Sequence, residues 1–427
     1  MKASPARSAA YEVVLRVFEQ GAYADRAFEA AATEAALDAR DRGLAQRIAF
    51  GTVQRRRTLD HAIETLARRP ITRLDPQVRA ALRIAAYQLG YLDHVPAYAA
   101  VHESVGLVRR ARLESAVGFA NAVGRRLAEG IRPLLDALPE STPQEAALKH
   151  SYPDWLAEAW WAEWGAEGAI ALMQAQNEAP ETVVRVNGLR DAGAKLEGEP
   201  DPLIPGALRV VTVDEAAFAA GRIQPQSRAS MLAGLSVGVR DGERVLDLCA
   251  APGGKTTQLA QWAAEVVAVE LNEGRARELQ QTCRRLGAEN VLVVQADGRE
   301  LPPGLTGFDR ALVDAPCSGS GVLAFRPDLR WRSQPLPELQ LELLLSAAAR
   351  VRPGGSVTFS TCAVHAAENE LLADAAVAAA GGRLVLDDLG GEWPAFRHPR
   401  RPELLLTLPH VHGGAGFFVA RFTVAAA

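Results

Sequence analysis

The spacing of apolar residues divides the chain into two regimes. From residue 4 to about 130 they recur at three- and four-residue intervals, with no strand signal. "AAYEVVLRVFEQG" keeps one apolar face and stops at Gly21, the pattern of an amphipathic helix closed by glycine. "LDPQVRAALRIAAYQLGYL" places Asp75 as N-cap and Pro76 in the first helical position, the two residue types that favour a helix start. Further helices are expected near 98–110 and 115–129, so residues 1–140 read as an all-α domain of five or more helices. "EGIRPLLDALPESTPQEAALKHSYPDW" reads as a linker, being rich in proline and polar residues. Residues 150–225 are mixed. A helix carries Trp155, Trp160, Trp161 and Trp164, whose simplest use is packing, and "TVVRVNGL" and "ALRVVTV" read as strands of a small α/β subdomain.

Over 226–427 the period changes. "RVLDL", "EVVAVE", "VLVVQAD", "RALVDAP" and "SVTFSTC" are short apolar runs separated by helical stretches such as "EGRARELQQTCRRLG". Strand–helix alternation implies a parallel, doubly wound sheet, and "GGAGFFVARFTV" adds a last strand after a glycine-rich turn.

Length and composition agree with several domains: 427 residues, 48% hydrophobic and 23% charged. No run approaches the roughly 20 apolar residues of a membrane span, and Glu12 and Arg16 interrupt the N-terminal stretch, unlike a signal peptide. A cytoplasmic protein without membrane contact is expected. The four cysteines, Cys249, Cys283, Cys317 and Cys362, form no C-x-x-C pair, so neither a metal site nor a disulfide framework is expected. Cys283 reads as a small buried hydrophobe. Residues 1–150 hold 22 Lys+Arg against 17 Asp+Glu, and the remainder holds 25 against 34. Clusters at Arg55–Arg57 and Arg68–Arg69 suit phosphate backbones, or serve as an ordinary solvated face.

The stretch "CAAPGGKT" (249–256) nearly matches an ATP-binding loop, G-x-x-x-x-G-K-[ST], but its opening position is Cys249. The next strand ends in Glu270, the right distance on to hold ribose hydroxyls, and a third ends in Asp297, suited to an adenine amino group. A nucleoside ligand fits this order better than a triphosphate. The order resembles class I S-adenosylmethionine-dependent methyltransferases. That resemblance makes S-adenosyl-L-methionine the cofactor. Its cradle is then the backbone of Cys249, Ala250, Ala251, Pro252, Gly253 and Gly254 with Lys255, bordered by Glu270, Arg275, Asp297, Gly298 and Asp314.

"ALVDAPCSGSGV" puts Asp314 and Cys317 at one strand end, and "SVTFSTC" puts Cys362 at another. Neighbouring strand ends of a parallel sheet share a cleft, so two thiols would face the methyl donor. Methylating oxygen or nitrogen needs no thiol. Methylating C5 of a pyrimidine does, because thiolate addition to C6 makes C5 nucleophilic.

These residues resemble the RNA (cytosine-5) methyltransferases of the NOL1/NOP2/Sun family, whose signatures stand here as "LDLCAAPGGKT", "DAPCSGSGV" and "STC". The resemblance implies that Cys362 is the nucleophile and that Cys317 assists release. Asp314 would hydrogen-bond the cytosine, and Lys255 would tune a thiol or hold Asp314. Arg275 and Arg326 would lie near cofactor and RNA phosphate. His365 and Glu368 read as loop and helix residues. "RGLAQRIAFGTVQRRRTLD" and "RAALRIAAYQLGYLDHVPAYAAVHESV" make the front similar to NusB-type RNA-binding domains, and the family implies an RRM-like middle subdomain. The implied function is methylation of a cytosine in 16S ribosomal RNA by a monomer without metal. The alternatives are the same chemistry on tRNA or another RNA, a non-catalytic RNA-binding or assembly factor, and, last, a P-loop NTPase.

Overall fold

The computed structural model describes residues 4–190 and 196–426, in two compact units. The first runs to Glu178 and also takes in Leu323–Arg332. Its helices are α1 (Pro5–Gln20), α2 (Ala24–Glu34), α3 (Ala39–Gln54), α4 (Arg56–Ala67), α5 (Pro76–Tyr91), α6 (Ala97–Arg110), α7 (Glu114–Asp136), α8 (Pro143–His150) and α9 (Asp154–Ala175). Gly21 closes α1 in the left-handed conformation at φ 66°, as its sequence anticipates. Asp75 is the N-cap residue of α5 but gives no side-chain bond. Helix α5 is the central one, buried from Val78 to Leu89 apart from Arg79.

Two departures from the sequence reading have physical causes. Helix α7 continues through Gly130 and Pro133 to Asp136, because Ile131 is buried in the helical core and that burial outweighs local helix-breaking preference. The expected linker holds α8. Thr142 accepts from the backbone N–H of Glu145, and the Glu145 side chain accepts from that of Thr142. This capping box starts the helix. Residues 323–332 pack on their own unit through Arg330, which is buried and donates to the carbonyls of Ser151 and Gln176 and to Asn177 Oδ1. Trp331 Nε1 donates to Val53 O at 2.7 Å.

The second unit, Ala179–Val322 with Ser333–Ala427, carries two sheets. The small one has β1 (Val183–Val186), β2 (Glu199–Pro200), β3 (Ala207–Arg209) and β4 (Ile223–Pro225), antiparallel in the order β2-β3-β1-β4. Helices α10 (Glu215–Ala219) and α11 (Arg228–Leu235) flank β4 in the chain.

The large sheet follows the expected alternation: β5 (Arg244–Leu248), α12 (Gly254–Leu259), β6 (Glu265–Glu270), α13 (Glu273–Leu286), β7 (Val291–Gln295), β8 (Phe308–Asp314), α14 (Pro337–Ala348), β9 (Val351–Thr361), α15 (Glu370–Ala379), β10 (Leu384–Leu386), β11 (Leu405–Thr407) and β12 (Phe417–Val424). Its order is β10-β12-β9-β8-β5-β6-β7, with β11 on β12. Strands β5 to β9 are parallel, whereas β12 runs antiparallel to β9, so the sheet is mixed at one side. The chain steps outward from β5 to β7 and then returns to β8 on the other side of β5. Ligands of such sheets bind at this reversal, beyond the carboxyl ends. Cys283 is buried in α13.

Candidate active site

Strand β5 ends at Leu248, and the turn that follows lacks the glycine of a phosphate loop. Cys249 makes the turn itself, in the left-handed region at φ 61°, which costs a non-glycine residue about 1–2 kcal/mol. Gly253 caps α12 at φ 102°, and a Cβ there would lie 2.8 Å from Leu279 Cδ1. The glycine is thus required by the close packing of the turn against α13.

The two side chains that a phosphate loop turns toward its ligand have other partners here. Lys255 Nζ donates to Asp314 Oδ2 at 2.8 Å and lies 4.9 Å from the centroid of the Phe417 ring. Thr256 Oγ1 donates to Asp247 Oδ2 at 2.6 Å. Both contacts argue against a triphosphate site.

The strand-end acids differ in what already occupies them. Glu270 is 4% exposed; its Oε1 accepts from the Asn272 N–H at 3.0 Å, while Oε2 accepts no hydrogen bond. Arg275 stands 3.6 Å from that oxygen and donates to the Ala251 carbonyl at 2.6 Å. A buried carboxylate oxygen lacking a donor is costly unless a ligand supplies one. Asp297 is exposed to a different degree and is clasped by Arg299, from Nε to Oδ1 at 3.1 Å and from Nη2 to Oδ2 at 2.7 Å. That clasp holds its carboxyl below the usual range. Gly298 sits against Leu343 Cδ2, where a Cβ would come within 2.8 Å.

Asp247 is fully buried, and its Oδ1 has no partner. Burial pushes its pKa up to about 7 against the opposing hydrogen bond from Thr256. Burial, with the charges of Asp314, Glu270 and Asp247, pushes the Cys249 thiol up to about 12. Cys249 is therefore a turn residue and not a nucleophile at neutral pH. The buried, donor-free Glu270 oxygen beside this turn fits the ribose hydroxyls of a nucleoside cofactor.

Beyond β8 and β9 the two remaining thiols meet, with Cys317 Sγ 3.3 Å from Cys362 Sγ. Asp314 and Ser360 are paired in the β8–β9 register, and the Ser360 hydroxyl donates to Asp314 Oδ1 at 2.8 Å. Asp314 is thereby fixed by Lys255 on one oxygen and Ser360 on the other. The hydrogen bond with Cys362, then burial, then the charges of Cys362 and Glu368 raise the pKa of Cys317 well above that of a free thiol.

Sequence reasoning assigned no role to Asp247, Ser360 or Glu368. The last is buried and accepts from the backbone of the Cys317 segment; its only sequence signal is its place six residues after Cys362. Arg326, expected near RNA, pairs with Asp25 at 3.6 Å and lies over the Tyr23 ring within the helical unit.

The model of the 16S rRNA methyltransferase RsmB/F family matches residues 235–423, over the large sheet and its thiols. A probable ribosomal RNA small subunit methyltransferase B of Synechocystis is 31% identical over 97% of this chain and 98% of its own. The chain belongs to the RsmB/F methyltransferase family. It is an RNA methyltransferase, and as a member of this family it takes a cofactor of the S-adenosylmethionine type.

The family's other parts are also present. The NusB family model matches residues 4–129, and the ferredoxin-like domain of RsmF/B-like methyltransferases matches 152–209. A probable methyltransferase B of Bacillus subtilis is 29% identical over 98% of both chains. The crystal structure of PH0851 has the same fold, with a TM-score of 0.77, 24% identity and 99% of each chain covered. NSun6 from Pyrococcus horikoshii with SFG has a TM-score of 0.57 at 22% identity, over 65% of this chain and 100% of its own. Among the described residues no helix is long and apolar enough to cross a membrane, and no group of three or more His, Cys, Asp or Glu is placed to hold a metal.

Proposed function

We propose that the protein methylates C5 of a cytosine in 16S ribosomal RNA through a covalent bond between Cys362 and C6 of the base. The observation that carries this reading is the pair of thiols 3.3 Å apart at neighbouring strand ends, next to the Lys255–Asp314 pair. A pyrimidine C5 is not nucleophilic until C6 carries an added thiolate. S-adenosylmethionine supplies the electrophilic methyl group. Glu270 accepts from the ribose hydroxyls through its donor-free oxygen, while Asp297, Gly298 and Arg275 border the adenine and the turn. Asp314, held by Lys255 and Ser360, hydrogen-bonds the N3–N4 edge of the base and so favours addition at C6. After transfer, C5 carries the new methyl and its original hydrogen. A water positioned by the Cys317 thiol takes that hydrogen as a proton; the electrons of the C5–H bond restore the C5–C6 double bond, and the Cys362 thiolate leaves.

RNA contact by the helical unit centres on α6 and α7, not on the arginine cluster that the sequence suggested. Arg55 stacks on Tyr91 at 4.7 Å, Arg56 on Phe18 at 5.1 Å, and Arg57 binds Asp154 at 2.7 Å. These guanidinium groups are committed to their own fold. A cavity of about 450 Å³ between α6 and α7 is lined by Tyr98, His102, Arg109 and Arg125. Tyr98 is 79% exposed, and neither arginine has an ion-pair partner among the described residues. An exposed ring between unpaired cations suits stacked bases and phosphates.

The deciding experiment uses 16S RNA, S-adenosylmethionine and denaturing electrophoresis. Cys362→Ala binds both and transfers no methyl. Cys317→Ala methylates once and stalls as a protein–RNA adduct that requires the cofactor and vanishes in the double variant. Normal turnover by both single variants overturns the two-thiol mechanism. An adduct with Cys362→Ala but not Cys317→Ala reverses the roles. Methylation of tRNA with 16S RNA left untouched overturns the substrate.

A further inference from the structure

Glu368 ends the short 3-10 turn that follows Cys362, and its side chain is 0% exposed. The Ser318 N–H donates to both its oxygens, at 2.9 and 3.3 Å. The Leu336 N–H donates to Oε1 at 3.1 Å, and Gln340 Nε2 to the same oxygen at 2.8 Å. That amide nitrogen also donates to the Pro316 carbonyl at 2.9 Å. Glu368 and Gln340 therefore tie down the residues on both sides of Cys317.

No cation forms an ion pair with Glu368 among the described residues. His365 is the titratable neighbour on the same segment. Burial lowers its pKa, against the pull of Glu368 and Glu370, so it is neutral at pH 7 and does not cancel the charge. Cys317 is raised by its hydrogen bond with Cys362, by burial and by the charges of Cys362 and Glu368, against the pull of the Gly319 N–H.

A buried carboxylate without a counter-charge is expensive, and donors from three residues make it tolerable. Tying down a loop needs only an acceptor, which glutamine also provides. What the charge adds is electrostatic. Two thiols in contact titrate as a coupled pair, and a fixed negative charge beside one of them places the first thiolate on the other.

We propose that Glu368 is the positioning residue of the thiol pair: it fixes residues 316–318 and directs the thiolate to Cys362 by keeping the proton on Cys317. The consequence for methylation rests on the two-thiol reading above; the effect on the thiols themselves does not.

The test is therefore made first without RNA. Full-length protein and Glu368→Gln are labelled briefly with iodoacetamide from pH 6 to 10, and the peptides carrying Cys317 and Cys362 are quantified by mass spectrometry. In the unaltered protein, label falls on Cys362 before Cys317. In a folded Glu368→Gln protein, the ratio of Cys317 to Cys362 label rises about tenfold at pH 8, a change of one pKa unit. An unchanged ratio overturns the proposal, because glutamine keeps the acceptor for Ser318 and Leu336 and removes only the charge.

A second measurement leaves residue 368 intact. In Cys362→Ala, Cys317 still labels only well above the pH of an ordinary thiol, roughly 8.5; labelling at that ordinary value overturns the proposal even if Glu368→Gln does not fold. In the methylation assay, Glu368→Gln lowers kcat with little change in the KM for RNA. If no variant forms an adduct but the labelling ratio shifts, the two-thiol mechanism falls and the role of Glu368 in directing the thiolate stands.

Discussion

Lys255 Nζ lies 2.8 Å from Asp314 Oδ2, joining residues 59 apart in the chain where β5 and β8 adjoin. The lysine side chain is nearly buried, and the aspartate is about one-third exposed. Removing the carboxylate leaves an enclosed ammonium without its partner. Asp314→Ala should lower stability by about 1–2 kcal/mol after solvent screening is allowed for, and should abolish methylation. The double variant Lys255→Met/Asp314→Leu should regain most of the stability and none of the activity, as urea unfolding and methyl incorporation would report. Recovery of both would make the pair purely structural.

Asp247 sets a pH dependence of stability. Its folded pKa, about 7, lies above the unfolded value of about 3.9, so the folded state binds the proton more tightly and ionisation opposes folding. The penalty is absent below about pH 4, grows as pH rises and is complete above about 7. Asp247→Asn removes it. The variant should match the unaltered protein near pH 4 and exceed it by about 2–4 kcal/mol at pH 8. Urea midpoints at the two pH values check this, and a gap that does not widen with pH refutes the assignment.

The two strand-end acids should contribute unequally to cofactor binding. Glu270 Oε2 has no donor to give up, whereas Asp297 must share its oxygens with Arg299. By calorimetry, Glu270→Ala should weaken S-adenosylmethionine about 10- to 100-fold, the worth of a hydrogen bond to a charged group. Asp297→Ala should weaken it less. Unchanged affinity in both variants would remove the cofactor from this cleft.

RNA affinity should respond to α6 and α7 and not to the 55–57 cluster. Arg109→Ala with Arg125→Ala should flatten the salt dependence by about two phosphate contacts, a slope change of about 1.4 for single-stranded RNA. Tyr98→Ala should lower affinity about tenfold. Replacing Arg55, Arg56 and Arg57 should lower thermal stability and leave the salt slope unchanged. The opposite pattern would return the interface to that cluster.

Much of this was legible in the residues themselves. Short apolar runs and period-3.6 patterns are local, so β5 to β8 and helices α1, α5 and α13 were evident from "RVLDL", "AAYEVVLRVFEQG" and their neighbours. The run "CAAPGGKT" announced a bare turn before a helix, and the strand-end positions of Asp314, Cys317 and Cys362 followed from the alternation of strands and helices. The capping box at Thr142 and Glu145 was also present, concealed by the prolines around it.

Tertiary structure decided what depends on residues far apart in the chain. Sequence gives a cation no partner, so Arg55–Arg57 looked like a surface patch until Tyr91, Phe18 and Asp154 closed on them. It gives a carboxylate no burial, so Glu368 was indistinguishable from a loop residue until the fold enclosed it and turned the Ser318 N–H onto it. The 3.3 Å between Cys317 and Cys362 arises because β8 and β9 pair in register through Asp314 and Ser360. Local sequence sets each residue's conformational preference and chemical type; proximity, burial and charge balance arise only when separate segments pack together.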